Sequence, residues 1–72
     1  MKATYDSEAD AFYLYLTDSE SVKSVDSETV ADGVVFDYDE EDRIIGVEVW
    51  SASKRLPLSA LKAAEQLTES VA

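Results

Sequence analysis

The chain has 72 residues, sixteen Asp and Glu against six Lys and Arg, no Cys and no His, and a net charge of −10. Without Cys or His it has no disulfide, no thiolate or imidazole metal site and no Cys–His or Ser–His–Asp nucleophile, and we expect no cofactor. The acidity disfavours nucleic acid and anionic membranes and favours a basic protein partner, although a requirement for solubility or a saline habitat is an equally good reason for it.

A chain of this length forms one small domain. Such a domain buries only about 60% of the surface that its unfolded form exposes, so its stability depends on a well-packed core or on a second chain. No apolar run approaches the roughly 18 residues of a membrane span. The first ten residues, M-K-A-T-Y-D-S-E-A-D, turn acidic where a signal peptide is apolar. We therefore expect a soluble, cytoplasmic protein with no membrane association.

The first predicted element is a β-hairpin. Residues 11–17 alternate as a strand does, and its two sides carry Phe12, Leu14 and Leu16 on one and Tyr13 and Tyr15 on the other. Residues 2–5 form a shorter extended piece before it. The acidic segment 6–10 joins the two as a turn, because Asp and Ser side chains hydrogen-bond to nearby backbone N–H groups.

A second hairpin follows a polar segment. Within that segment Ser21–Val25 is predicted as a weak edge strand, whose polar residues suit an exposed sheet edge, and Asp32–Gly33 as a turn. The strands of the hairpin are Val34–Tyr38 and Arg43–Trp50. The acidic turn Asp39–Asp42 connects them.

After Trp50 the pattern becomes helical. Residues 51–57 are predicted as a linker, in which Lys54 and Arg55 are either a solvated helix entry or partners in an interchain salt bridge. Residues 58–71 are rich in helix formers. One face of that helix has apolar residues at helical spacing, widened by Leu61, and they are Ala60, Ala64, Leu67 and Val71.

The predicted fold is α+β: one domain with an antiparallel sheet of four to five strands, about residues 2–50, and one C-terminal helix packed on one face. The apolar face carries Phe12, Leu14, Leu16, Val34, Phe36, Ile45, Val47 and Val49. The opposite face, called the aromatic face, carries Tyr13, Tyr15, Val35, Asp37, Ile44, Gly46, Glu48 and Trp50. A single helix cannot cover both faces. We therefore predict that the aromatic face is an interface, formed by Tyr13, Tyr15, Asp37, Gly46, Glu48 and Trp50, through which the chain forms a homodimer or higher oligomer.

The acidic second hairpin also permits a calcium hypothesis. Over the EF-hand loop, acidic residues fall on ligand positions one, three, five and twelve, and these are Asp37, Asp39, Glu41 and Glu48. However, Asp42 stands where the loop requires glycine, and an extended strand places Glu48 roughly 20 Å from the turn. An EF-hand is therefore disfavoured. Weak calcium binding by the turn residues Asp39, Glu41 and Asp42 is kept as an alternative.

The pair Asp37 and Glu48 permits an enzymatic hypothesis as well. Two carboxyl groups on one face act as acid and base when their environments drive their pKa values apart within a cleft. A sheet with one helix offers little depth for such a cleft. We therefore predict no catalytic residue and no enzyme.

Three blocks of this sequence, in this order, resemble a known family: Y5-D-S-E-A-D-A-F-Y-L-Y-L16, D32-G-V-V-F-D-Y-D39 and I45-G-V-E-V-W-S-A-S-K-R-L56. The chain resembles, over about residues 4–56, the small prokaryotic domain-of-unknown-function family 2283. The resemblance places the family's recurring positions at Tyr5, Asp6, Ala9, Asp10, Tyr13, Asp37, Asp39, Gly46 and Glu48. Asp42 departs from it, because a turn glycine is common there, and this implies a looser turn.

The resemblance implies no established activity, but members of the family are often encoded beside small toxins. An acidic body with an aromatic face would suit neutralisation of a basic partner. The sequence therefore predicts a non-catalytic protein-interaction module, antitoxin-like in its role. The alternatives are the weak calcium-binding protein and a purely structural homo-oligomer.

Overall fold

The computed structural model describes residues 1–18 and 22–67 and shows an α+β domain. Its elements are β1 (Lys2–Asp6), β2 (Ala11–Tyr15), β3 (Asp26–Ala31), β4 (Val34–Tyr38), β5 (Ile44–Trp50), α1 (Ala52–Arg55), α2 (Leu58–Ala63) and β6 (Glu65–Gln66). The strands form one sheet in the order β3-β4-β5-β2-β1-β6. Every pairing is antiparallel except that of β1 with β6.

Both predicted hairpins are present, and their turns use the acidic residues as expected. In the β1–β2 turn, Oδ1 of Asp6 accepts the backbone N–H groups of Glu8 and Ala9 at 3.0 and 3.3 Å. In the β4–β5 turn, Asp42 has a left-handed backbone with φ of 59°. This conformation favours glycine, and Asp adopts it more readily than most other residues.

The expected edge strand at Ser21–Val25 is wrong. Residues 22–25 have no strand structure, Ser21 lies outside the described residues, and the edge strand is β3 at Asp26–Ala31. The two-residue turn Asp32–Gly33, with Gly33 at φ of 76°, places Ala31 opposite Val34 and so sets where β3 begins and ends. With β6 added beside β1, the sheet of the described residues has six strands rather than four or five.

The expected single helix over residues 58–71 and the linker over residues 51–57 are corrected as well. Residues 52–55 form α1 within the expected linker, α2 ends at Ala63, and β6 then pairs with the edge of β1. The amide of Gln66 donates to the carbonyl groups of Leu61 and Ala64, both at 2.8 Å, and so satisfies free carbonyl groups after α2. Val71 lies outside the described residues.

The helices pack on the apolar face, as predicted, but cover only part of it. The core joins Val49 of the sheet to Ala52 and Leu61 of the helical segment, and the partly buried residues around it are Tyr5, Phe12, Val47 and Leu56. Among the described residues no large side chain is fully buried. The fold therefore has a thin core with sheet surface left exposed on both sides. Within the described ranges there is no helix of the length and apolarity needed to cross a membrane.

Candidate functional site

A hydrogen-bonded cluster occupies the centre of the aromatic face. Asp37 on β4 is only 4% exposed. Its two carboxylate oxygens accept the hydroxyl groups of Ser27 at 2.5 Å and Tyr13 at 2.8 Å. These donors come from β3 and β2, on either side of the β4–β5 pair, so the cluster ties four strands together.

Gly46 makes the cluster possible. It lies on β5 opposite Asp37 on one side and Tyr15 on the other. A Cβ atom at this position would lie 2.8 Å from Cε1 of Tyr13 and closer still to its hydroxyl group. The ring of Tyr13 thus crosses β5 directly over Gly46 to reach Asp37. The close approach that the mid-strand glycine permits is that of a side chain.

Glu48 and Asp37 are hydrogen-bonded in this cluster, and their pKa values move in opposite directions. Burial, then the hydrogen bond with Asp37 and its negative charge, raise the pKa of Glu48 to about 7. Burial opposes ionisation of Asp37 too, but hydrogen bonds from Ser27, Glu48 and Tyr13 outweigh it and hold the pKa of Asp37 below its usual value. Near neutral pH Glu48 is therefore protonated about half of the time.

A shallow groove of about 280 Å³ runs beside the cluster, over β1, β2 and β5. Its aromatic walls are Tyr13, Tyr15 and Trp50, and Leu67 borders it after β6. The carboxyl groups of Glu48 and Asp6 also line it. Burial and the Asp37 bond raise the pKa of Tyr13 too, so its hydroxyl remains a hydrogen-bond donor across the ordinary pH range. The groove is open to solvent, and its lining combines aromatic rings with two carboxyl groups.

A second recess lies on the other side of the tyrosines. Tyr13 and Tyr15 have ring centroids 4.5 Å apart, and the ammonium group of Lys2 lies 5.6 Å from the centre of the Tyr15 ring. Ile45 lines this recess. Alternation placed Ile45 on the apolar face, but a β-bulge between Asp37 and Tyr38 interrupts the register of β5 at this point.

The predicted interface residues thus fall into two sets. The structure brings Tyr13, Asp37, Gly46 and Glu48 into one cluster. It places Tyr15 and Trp50 at the rim, with 38% and 47% of their surfaces exposed. Whether these residues form an interface stays a prediction.

In the acidic turn, neighbouring residues hydrogen-bond to the carboxylate of Asp39. Oδ1 of Asp39 accepts the backbone N–H groups of Glu41 and Arg43, and Oδ2 accepts Nε of Arg43 at 2.9 Å. These bonds lower the pKa of Asp39, and the bond from the backbone N–H of Arg43 has the largest effect. No group of three or more acidic side chains that could hold a metal occurs in residues 1–18 and 22–67. The calcium hypothesis for Asp39, Glu41 and Asp42 stays a prediction.

Sequence reasoning missed two sets of hydrogen bonds. Ser27 was not expected on the aromatic face because its strand was misplaced. Asp10, with φ of 52°, accepts the hydroxyl of Tyr5 at 2.7 Å and the N–H and hydroxyl of Ser53 at 2.9 and 2.7 Å. It thereby fixes the start of α1 to the first turn. A serine just inside a helix is a weak signal for such a contact. Arg55 pairs within the chain with Asp32 at 3.4 Å.

Comparison with protein families gives a match. Residues 2–53, more than half of the chain, match the family model described as a protein of unknown function, DUF2283. No curated protein and no solved structure gives a match. The matched region contains the whole Tyr13–Asp37 cluster and Asp10 with its partners.

Proposed function

Since the chain belongs to the DUF2283 family, whose function is unknown, we propose from its surface that it is a non-catalytic protein-interaction module that binds through the aromatic face. The observation that carries this proposal is the exposure of large apolar side chains there. Tyr15, Trp50 and Leu67 are 38%, 47% and 52% exposed, and all three line one groove. Clusters of this kind mark interaction sites, because Tyr and Trp combine apolar area with a polar group.

A binding role fits the central cluster better than catalysis does. Glu48 has the raised pKa expected of a catalytic acid and lines the groove. Asp37, its partner, is 4% exposed, and both of its oxygens accept hydrogen bonds from within the sheet. A carboxylate held in this way stabilises the sheet and has no access to a substrate.

The partner we propose is a basic protein. The chain carries a net charge of −10, and a surface of this charge attracts and orients a cationic partner. An antitoxin-like neutralisation of a small basic toxin in the cytoplasm is the specific form of this role that we favour.

A structural homo-oligomer is the second candidate. The thin core favours it, because the helices leave both faces partly exposed and Leu16 on the apolar side is 39% exposed. A second copy would bury this surface and stabilise each subunit.

Site-specific photocrosslinking in the producing cell tests these proposals. A photoreactive phenylalanine analogue replaces Tyr15 in one variant and Leu58 in another. Leu58 is the matched control, because it is 64% exposed on α2, away from the aromatic face. We expect a covalent adduct at Tyr15 that is absent at Leu58, and mass spectrometry identifies the attached protein.

The identity of the adduct decides between the candidates. A basic protein supports the proposed role, and a second copy of the chain supports the homo-oligomer. Equal adducts at both positions, or none at Tyr15, would contradict binding through the aromatic face.

A further inference from the structure

We propose that the groove beside Trp50 binds an arginine or lysine side chain of the basic partner. This inference rests on the proposed function and specifies its recognition chemistry. The groove combines the two features that recognise an organic cation, which are aromatic rings and carboxyl groups. No Lys or Arg of the described chain lines it.

The aromatic walls suit a cation. The negative faces of tyrosine and tryptophan rings attract ammonium and guanidinium groups within about 6 Å. This face already shows the interaction, since the ammonium of Lys2 lies 5.6 Å from the centre of the Tyr15 ring. Lys2 lies in the recess on the other side of the tyrosines, and the groove beside Trp50 is a separate space.

The size of the groove fits one side chain. Sites for drug-sized ligands have volumes of about 300–1,000 Å³, whereas this groove has about 280 Å³ and is open along its length. A long basic side chain would place its methylene groups along Leu67 and Trp50, and its charged end near Glu48 and Asp6. A partner would thus insert one anchoring residue and place its backbone along the rim.

Binding of a cation in the groove is coupled to the loss of a proton from Glu48. The ionisable groups around it are Asp37 on β4, Tyr13 and Tyr15 on β2, and Asp6 on β1. With a pKa of about 7, Glu48 is half-protonated at neutral pH. A cation in the groove favours its charged form, so binding at pH 7 releases up to about half a proton.

The test uses two peptides of equal shape. Acetyl-Gly-Arg-Gly-amide carries a guanidinium, and the same peptide with citrulline carries a neutral urea group instead. Each is titrated into the full chain at millimolar concentration while NMR follows the indole N–H of Trp50, the only tryptophan in the sequence. Calorimetry in two buffers of different ionisation enthalpy then counts the protons released.

We expect the arginine peptide to shift the indole signal and to bind at least about fivefold more tightly than the citrulline peptide. Trp50→Ala and Trp50→Phe lack the indole, so calorimetry measures their binding. Trp50→Ala should weaken it about three- to fivefold, and Trp50→Phe, which keeps an aromatic ring, by less. Glu48→Gln should abolish proton release. Glu40→Gln, the same substitution in the exposed acidic turn, should leave the affinity for the arginine peptide and the proton release unchanged.

Equal binding of the two peptides, or an indole signal that does not shift, would overturn the inference. So would proton release that persists in Glu48→Gln. These results would leave the proposed function intact if the Tyr15 crosslink still captures a basic protein. The absence of that crosslink, by contrast, would remove the proposed function while a binding groove remained.

Discussion

At the scale of single residues, Gly46 controls the arrangement of the aromatic face. Its missing side chain leaves room for the ring of Tyr13, which passes over β5 to donate to Asp37. Gly46→Ala should therefore force Tyr13 off its partner. We expect a loss of about 2–3 kcal/mol in the free energy of unfolding, from overpacking together with a buried acceptor deprived of its donor. Urea denaturation measures it.

A double-mutant cycle separates this effect from the ordinary cost of an added methyl group. In a Tyr13→Ala background the space above Gly46 is empty, so Gly46→Ala should cost about 1 kcal/mol or less. Tyr13→Phe, which keeps the ring and removes only the hydroxyl, isolates the hydrogen bond. If Gly46→Ala is equally destabilising in both backgrounds, the contact with Tyr13 is not the reason for the glycine.

Glu48 should give the protein an unusual pH dependence. The folded pKa of about 7 lies above the unfolded value near 4.5. The folded state therefore binds more protons between these values, and the stability contributed by protonated Glu48 is present below pH 4.5 and lost as the pH rises through 7. Asp37 has the opposite sign, because its pKa is lowered and its contribution is lost on acidification. Stability should therefore be highest near pH 5.

Thermal unfolding at several pH values measures this profile. The melting temperature of the parent should fall by several degrees between pH 5 and pH 8. Glu48→Gln mimics the protonated form and should remove most of that fall. Glu40→Gln, the same substitution at an exposed turn position, should retain it. A Glu48→Gln profile as steep as that of the parent would show that general charge repulsion is the cause.

At the scale of elements, two turns have similar backbones but hold their strands by different means. Asp10 and Asp42 both have left-handed backbones, with φ of 52° and 59°. The carboxylate of Asp10 binds Tyr5 and Ser53, whereas the side chain of Asp42 has no hydrogen bond in the described structure. Glycine adopts this conformation freely but gives up any side-chain contact.

The two glycine substitutions should therefore have opposite effects. Asp42→Gly should be neutral or stabilise the fold by up to about 1 kcal/mol, because it relieves backbone strain. Asp10→Gly should destabilise it, because three donors lose a charged acceptor. Urea unfolding of both variants compares them directly. A destabilising Asp42→Gly would indicate that the acidic turn has a contact that the structure does not show.

The elements also show which strands the sequence pattern predicts and which it does not. β1, β2, β4 and β5 were predicted to within two residues, because a sheet with two unlike faces imposes strict alternation. β3 was misplaced because its residues, D-S-E-T-V-A, are all exposed and carry no apolar alternation. β6 depends on the open edge of β1, a tertiary condition that helix propensity does not detect.

The same limit applies to the site. Alternation placed Tyr13, Asp37 and Glu48 on one face correctly. It did not predict that the ring of Tyr13 crosses β5 over Gly46, because that depends on side-chain direction rather than on period. Nor did it predict the raised pKa of Glu48, which depends on burial and on the neighbouring Asp37.

At the scale of the whole molecule, charge and exposed aromatic surface act against each other in self-association. Two copies, each with a net charge of −10, repel, while their aromatic faces attract. Salt shortens the range of repulsion from about 30 Å at 0.01 M to about 3 Å at 1 M. A homodimer through the aromatic face should therefore strengthen as salt is added, whereas a complex with a basic partner should weaken.

Light scattering at 20 mM and 500 mM sodium chloride tests this difference. The parent should shift toward dimer at the higher salt concentration, and Tyr15→Glu should remain monomeric at both, because it places a charge in the interface. Leu58→Glu adds the same charge to α2 and should dimerise as the parent does. A parent that is monomeric throughout would contradict self-association and leave the basic partner as the occupant of the aromatic face. If Leu58→Glu rather than Tyr15→Glu blocked the dimer, the interface would lie on the helical side of the sheet instead.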